Sequence, residues 1–74
     1  MRFSHGVYAQ LTFKKDIEEG CSMSYYLYDS RDVYDHLVEP FGHDRAADAE
    51  AWTELASVGE WYEDDDFEIE MMEG

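Results

Sequence analysis

Residues 61–72 constrain the fold of this chain more than any other stretch. Apolar and acidic side chains alternate along the second half of this stretch. Phe67, Ile69 and Met71 occupy every second position, and acids occupy the positions between them. A period of two is typical of a β-strand with one buried face and one solvated face. We therefore predict an acidic closing strand, with carboxylates about 6.6 Å apart along its solvated face.

The carboxylates of this strand have two interpretations. The first is a solubilising outer face that also prevents the pairing of strand edges, and an acidic strand taken alone favours it. The second is an electrostatic copy of nucleic acid. A DNA strand advances about 3.4 Å along the helix axis per phosphate and follows a longer path around it, so the two charge spacings are comparable.

Two further strands are predicted in the first half of the chain. Apolar and polar residues alternate over residues 5–14 and again over residues 22–29, and the second stretch is rich in tyrosine, which favours strands. The polar connection over residues 15–21 can include a helical turn at residues 16–19. It is short enough for the two strands to pair in antiparallel orientation.

A first helix is predicted over residues 31–39, where the apolar residues recur with helical spacing. Asp29 or Ser30 can cap it by accepting bonds from free backbone amides, and Pro40 is expected to end it. Its apolar face comprises Val33, Tyr34, Leu37 and Val38.

A second helix is predicted over the alanine-rich residues 45–58, with Asp44 as its cap and Gly59 after its last residue. Its expected buried stripe comprises Ala47 or Ala51, Leu55 and Val58, with Trp52 beside it. The predicted order is β-β-α-α-β in a single domain over residues 1–74. This is an α+β fold with two helices on one face of a small three-stranded antiparallel sheet, in which the last strand lies beside the first.

The net charge indicates a basic partner. The formal net charge is −14, from 19 acids against 5 bases. Residues 1–37 hold six acids and four bases, net −2, whereas residues 38–74 hold 13 acids and one base, net −12. Charge of this size destabilises a small domain by self-repulsion, and such asymmetry between halves is a sign of an interaction surface. It disfavours binding to nucleic acid or to an anionic membrane.

No motif for catalysis, for a metal or for a cofactor is found in the sequence, so we expect a protein that is not an enzyme. The histidines are not spaced as a metal site, and Cys21 has no second cysteine to pair with, which favours a reducing cytoplasm. Ile69 stands where a calcium loop beginning at Asp64 would need glycine. Neither a signal peptide nor a membrane span is expected, since no long apolar run occurs.

The chemistry that remains is that of an acidic surface with aromatic residues nearby. Carboxylates on a rigid frame bind guanidinium groups bidentately and ammonium groups as point charges. The expected partner-binding residues are Asp48, Glu54, Glu60, Tyr62, Glu63, Asp64, Asp65, Asp66, Glu68 and Glu70. Exposed aromatic residues can add binding energy, and the candidates are Tyr26, Tyr28, Trp61 and Tyr62, although we expect core packing for Trp52 and Trp61.

Size, charge, the α+β order and the acidic residues 60–70 together resemble the small phage-encoded anti-CRISPR proteins. The chain is most similar to the DNA mimics that act on type I systems, with a type I-C inhibitor as the specific expectation. The resemblance covers the whole chain in these general features and includes no shared sequence motif. It implies binding to the Cascade surveillance complex, at the large subunit that reads the protospacer-adjacent motif, and exclusion of target DNA in the cytoplasm of a bacterial host cell.

A second class of function also fits the sequence. An acidic interaction module or an antitoxin-like regulator would bind a basic partner without mimicking DNA. The two classes differ in whether the positions of the carboxylates matter for competition with DNA.

Overall fold

The computed structural model describes residues 2–14 and 23–74. Two strands, two helices and two further strands follow one another along the chain: β1 Val7–Phe13, β2 Met23–Leu27, α1 Ser30–Phe41, α2 His43–Leu55, β3 Trp61–Glu63 and β4 Phe67–Glu73. The connection predicted over residues 15–21, with its helical turn, lies outside the described residues.

The strands form one antiparallel sheet of order β2-β1-β4-β3. The α+β class is therefore confirmed, and so is the antiparallel pairing of the last strand with the first. The prediction of three strands was wrong, because residues 61–73 form a hairpin rather than one strand. Its turn is made by the acids themselves: the Asp64 carboxylate accepts a bond of 3.2 Å from the Asp66 amide. Aspartate favours turns through such bonds to the backbone two residues on.

Helix α1 begins one residue earlier than predicted, at Ser30, and ends two residues later, at Phe41. The Arg31 amide donates a bond of 2.9 Å to Asp29 Oδ1, which identifies Asp29 as the cap and holds the pKa of that carboxyl below its usual value. Pro40 does not end the helix but lies inside it. A proline in the last turn removes only one helical bond, since it lacks the amide hydrogen of a single position.

Gly42 separates the two helices. Its amide donates a bond of 2.9 Å to the Val38 carbonyl, which closes α1. Its φ of 95° lies in the region that glycine enters without steric cost, and this permits the sharp reversal into α2 at His43. Asp44 is therefore not the cap of α2 but a residue of its first turn, and Gly42 occupies the cap position.

The buried stripe of α2 differs from the predicted one. Ala46, Ala49 and Thr53 are buried, whereas Leu55 is 86% exposed and Val58 is 48% exposed. Small side chains at a spacing of three and four allow α2 to pack against α1 along this stripe. Alanines also occur at neighbouring positions, so composition alone does not show which of them face inward.

The second helix is also shorter than predicted. It ends at Leu55, and Ala56 is already extended. Gly59, which we expected directly after the helix, has a φ of 92° in the turn that leads into β3. Neither helix within residues 2–14 and 23–74 has the length and apolar character needed to cross a membrane.

The core lies between the sheet and the two helices. On the sheet side it contains Ala9, Leu11, Leu27, Phe67, Ile69 and Met71, and on the helix side Val33, Leu37, Ala46 and Ala49. Trp52 is half-buried against it, as predicted. Both helices therefore pack on the same face of the sheet, here called the inner face. No element of the described chain covers the opposite face, here called the open face.

Candidate functional site

The open face is built by the residues that alternate with the core residues along the four strands. The strand register places them in two rows that cross the whole sheet and in a shorter third row of Tyr8 and Met72. The first row consists of Ser24, Thr12, Glu68 and Glu63, and the second consists of Tyr26, Gln10, Glu70 and Trp61. Both of these rows are acidic at the β3 and β4 end, and the second has an aromatic residue at each end.

Glu63, Glu68 and Glu70 form an acidic triad on this face. Glu63 lies directly opposite Glu68 across the pair of β3 and β4, and like charges in this position destabilise a sheet. Lys14 Nζ lies 3.3 Å from Glu63 Oε1 and relieves part of the repulsion. Within the described part of the chain no ion pair involves Glu68 or Glu70, so these two carboxylates are available to a partner.

The turn of the hairpin has a different role, because its acids are partly neutralised from within. Arg45 of α2 forms ion pairs with Asp64 and, at 3.0 Å, with Asp66. The bond to Asp66, and then that to Asp64, raises the pKa of the Arg45 guanidinium. Asp65 is exposed at the tip of the turn. Of the three consecutive aspartates, two therefore fasten the hairpin to α2.

Arg45 was not among the predicted site residues, although it has the largest number of charged partners described here. Its guanidinium also lies over the rings of Phe41, at 4.8 Å, and Phe67, at 5.7 Å. The sequence contained one signal of this role, since Arg45 is the only base among residues 38–74. A single cation in a segment with 13 acids is well placed to be shared by several of them.

Asp48 and Tyr62 form a second link between α2 and β3. The Tyr62 hydroxyl donates a bond of 2.6 Å to Asp48 Oδ2. Burial, and then this bond, raises the pKa of Tyr62 to about 12. The Tyr62 ring is half-buried between Trp52, at 5.4 Å, and Phe67, at 5.9 Å. Both predicted site residues thus take part in packing, and neither belongs to the open face.

Two further predicted residues lie apart from the triad. Glu54 accepts a bond of 3.4 Å from the Ser30 hydroxyl at the start of α1. Glu60 accepts a bond from the Ser57 amide in the turn before β3. The structure therefore divides the ten predicted residues: Glu63, Glu68 and Glu70 share the open face, Asp65 adjoins it at the turn, and the others make contacts within the fold.

Aromatic residues lie on two sides of the triad. Trp61 is 59% exposed, so the expectation that it packs in the core was wrong, because Tyr62 takes the inward position of β3. Tyr26 and Tyr28 were predicted as exposed aromatic residues, and they are 58% and 54% exposed. Tyr8, which we did not predict, contacts both rings, at 5.4 Å and 5.9 Å. We call Tyr8, Tyr26 and Tyr28 the tyrosine cluster.

No protein-family model matches the sequence, and comparisons with curated proteins and with solved structures give no match. The open face must therefore be interpreted from its own chemistry. Among residues 2–14 and 23–74, no three His, Cys, Asp or Glu side chains are grouped in a way that could hold a metal ion. The arrangement offers fixed carboxylates and exposed rings, which suit recognition of a cationic surface.

Proposed function

We propose that the protein is a stoichiometric inhibitor that binds the phosphate-binding surface of a basic DNA-binding protein and thereby excludes nucleic acid. The single observation that carries this proposal is the acidic triad. Glu63 and Glu68 face each other on the open face, and Glu70 follows at the next outward position. A fold that needed only solubility would gain nothing from placing two carboxylates opposite each other, since this arrangement lowers stability.

The triad supports mimicry because the sheet fixes the positions from which its side chains project. Opposite residues have Cβ atoms about 5 Å apart, and outward residues along one strand are about 6.8 Å apart. These distances are similar in scale to the spacing of phosphates along a nucleic acid strand. Because the backbone of β3 and β4 is already ordered, only the Glu side chains, and not the strands that carry them, have to be ordered when they meet a partner's Lys and Arg side chains.

The overall charge supports fast association with such a partner. A net charge of −14 on 74 residues attracts a basic surface over a distance comparable to the Debye length, about 8 Å at physiological ionic strength. This steering raises association rates and weakens with salt. The specific partner that we propose is the large subunit of a type I Cascade complex, because of the resemblance to small acidic anti-CRISPR proteins.

The test is competition with DNA. Purified Cascade is mixed with target DNA and increasing amounts of the protein, and DNA binding is followed by gel shift. We compare a triple variant of the triad, Glu63→Gln, Glu68→Gln and Glu70→Gln, with a control variant, Asp35→Asn, Glu39→Gln and Asp44→Asn. Both variants have a net charge of −11, since each removes three charges from −14. The control residues are exposed and lie on the helices.

We expect the triad variant to inhibit at least about tenfold less well, because each of its lost charges faces the partner, and we expect the control to inhibit almost as well as the native protein. Equal inhibition by both variants would contradict the role of the triad. If the native protein binds Cascade without displacing DNA, it is an acidic interaction module rather than a mimic. If it does not bind Cascade at all, the proposed partner is wrong.

A further inference from the structure

The open face presents an aromatic ring directly beside a carboxylate. Trp61 and Glu70 are opposite each other across β3 and β4, so their Cβ atoms are about 5 Å apart. Trp61 is 59% exposed, and Glu70 is exposed as well. A ligand group of the size of a guanidinium can therefore touch the indole face and the carboxylate at the same time.

The tyrosine cluster flanks the triad on its other side. Tyr26 lies in the same cross-strand row as Glu70, with Gln10 between them. Because neighbouring strands are about 4.8 Å apart, Tyr26 and Glu70 are separated by about 10 Å. Tyr8 contacts the rings of Tyr26 and Tyr28, and both tyrosines remain more than half exposed. Exposed apolar rings that adjoin one another are typical of binding surfaces.

The charge of the triad restricts what can lie on these rings. Nucleobases could stack on Tyr26, but their phosphates would approach Glu70 in a protein with a net charge of −14. A second copy of the chain would bring like charges together. An apolar partner would remove water from the carboxylates without replacing it. A planar cation satisfies the rings and the carboxylates together.

Arginine meets this requirement better than lysine. Its guanidinium is flat, stacks on aromatic faces and bonds to a carboxylate with two parallel N–H groups, whereas lysine presents a strongly hydrated point charge. The protein already uses this combination twice. Arg45 joins Asp64 and Asp66 while it lies over Phe41. Arg31 lies 5.5 Å from the Tyr34 ring centre and 3.6 Å from Asp35.

We propose that the open face is an arginine-selective binding surface. A guanidinium group of the partner bonds to Glu70 while it stacks on Trp61, and neighbouring arginines contact the tyrosine cluster. The basic character of the partner rests on the function proposed above. The inference adds the residue type that the partner must present and assigns a binding role to the rings as well as to the acids.

The test compares nona-arginine with nona-lysine peptides, which carry equal charge, by titration calorimetry at one ionic strength. We expect the native protein to bind the arginine peptide about tenfold more tightly. Trp61→Leu should lower the affinity for the arginine peptide about fivefold and that for the lysine peptide less than about twofold. The double variant Tyr26→Leu, Tyr28→Leu should act in the same direction. Leu55→Ala, at an exposed apolar residue outside the open face, is the control.

Trp61→Phe keeps an aromatic ring and should restore most of the preference, which separates loss of stacking from damage to the fold. The inference is overturned if the native protein binds both peptides equally, or if the Trp61 and tyrosine variants keep the full preference. Its failure is distinguishable from that of the proposed function. A triad variant that loses competition with DNA, in a protein without preference for arginine, supports the function and refutes the inference. A protein that prefers the arginine peptide but does not compete with DNA supports the inference and refutes the proposed function.

Discussion

The two faces of the sheet are made by the same strands and differ in almost every physical respect. Along β4, Ile69 is fully buried while its neighbour Glu70 is exposed. The inner face packs apolar side chains against α1 and α2, whereas the open face places Glu63 against Glu68. The difference teaches that stability is concentrated on one face. The other face is thereby free to hold an arrangement that costs stability, which the proposed recognition of a partner would explain.

The largest effect is expected from damage to the inner face. Phe67→Ala removes a fully buried ring that packs against Phe41 at 5.2 Å and stacks with Tyr62 at 5.9 Å. Truncation of a buried phenylalanine lowers the free energy of unfolding by about 3–5 kcal/mol, which is a large part of the stability of a small domain. Urea denaturation followed by circular dichroism measures it.

The matched control is Glu68→Ala, one position further along the same strand but on the open face. We expect a change within about 0.5 kcal/mol, the usual range for surface positions. Similar losses of unfolding free energy for the two variants would contradict the claim that stability is concentrated on the inner face.

The alternation of side chains along a strand decides which residues of each face can be predicted from the sequence. Alternation placed Phe67, Ile69 and Met71 on the inner face correctly, because the side-chain period of a strand leaves no choice once one face is buried. The pairing of β1 with β4 followed from the same pattern. The break within residues 61–73 was missed because a run of acids carries no apolar signal, and its aspartates make the turn.

The helices show where pattern reasoning fails. Leu55 and Val58 were placed in the buried stripe because helical spacing puts them near one line, yet α2 ends at Leu55 and both are exposed. The core instead takes Ala46 and Ala49, since small residues bring α2 close to α1. The position of Trp61 was missed for a related reason: which of two adjacent aromatic residues points inward depends on the register with β4, and local composition does not set that register.

The second largest loss of stability is expected at Arg45, which links the turn between β3 and β4 to α2. Arg45→Ala removes two ion pairs and the contacts over Phe41 and Phe67. Partly exposed ion pairs and cation–π contacts each contribute roughly 0.5–1 kcal/mol. Because the four contacts share one guanidinium and are not additive, we expect a loss of about 1–2 kcal/mol in the free energy of unfolding.

Arg45→Lys separates these contributions, because it keeps the charge and removes the flat stacking group. We expect lysine to restore less than half of the loss, as measured by chemical denaturation. Full restoration would mean that charge alone holds the turn, and it would also weaken the internal precedent for arginine on the open face.

A smaller effect is expected at Tyr62. Tyr62→Phe removes the bond to Asp48 and keeps the ring, so the loss should be about 1 kcal/mol. The pKa of Tyr62, raised to about 12, lies above the 10.0 of an unperturbed tyrosine. The raised pKa therefore adds stability that is fully present below pH 10 and is lost as the pH rises toward 12.

The alkaline range supplies the check on this assignment. The native protein should lose stability more steeply than Tyr62→Phe between these pH values, and the two denaturation midpoints should converge. Parallel pH profiles would show that Tyr62 does not titrate in the way its contact with Asp48 requires.

The smallest expected change is a gain in the free energy of unfolding rather than a loss, and it concerns the open face. Glu68→Gln removes the repulsion with Glu63, and Glu68 has no ion pair within the described residues. We expect a gain of about 0.5 kcal/mol in the free energy of unfolding. The matched control is Glu70→Gln, on the same strand and face, since Glu70 lies opposite Trp61 and Gln10 rather than an acid.

Salt distinguishes this repulsion from a difference in strand propensity. Because added salt screens exposed charges, the advantage of Glu68→Gln over the native protein should shrink as sodium chloride rises, while a propensity effect would not change. If Glu68→Gln is neutral or destabilising at low salt, the opposed carboxylates cost the fold nothing, and the argument that they are kept for a partner loses its basis. If the gain appears and the same substitution weakens competition with DNA, stability and recognition act in opposite directions at one side chain.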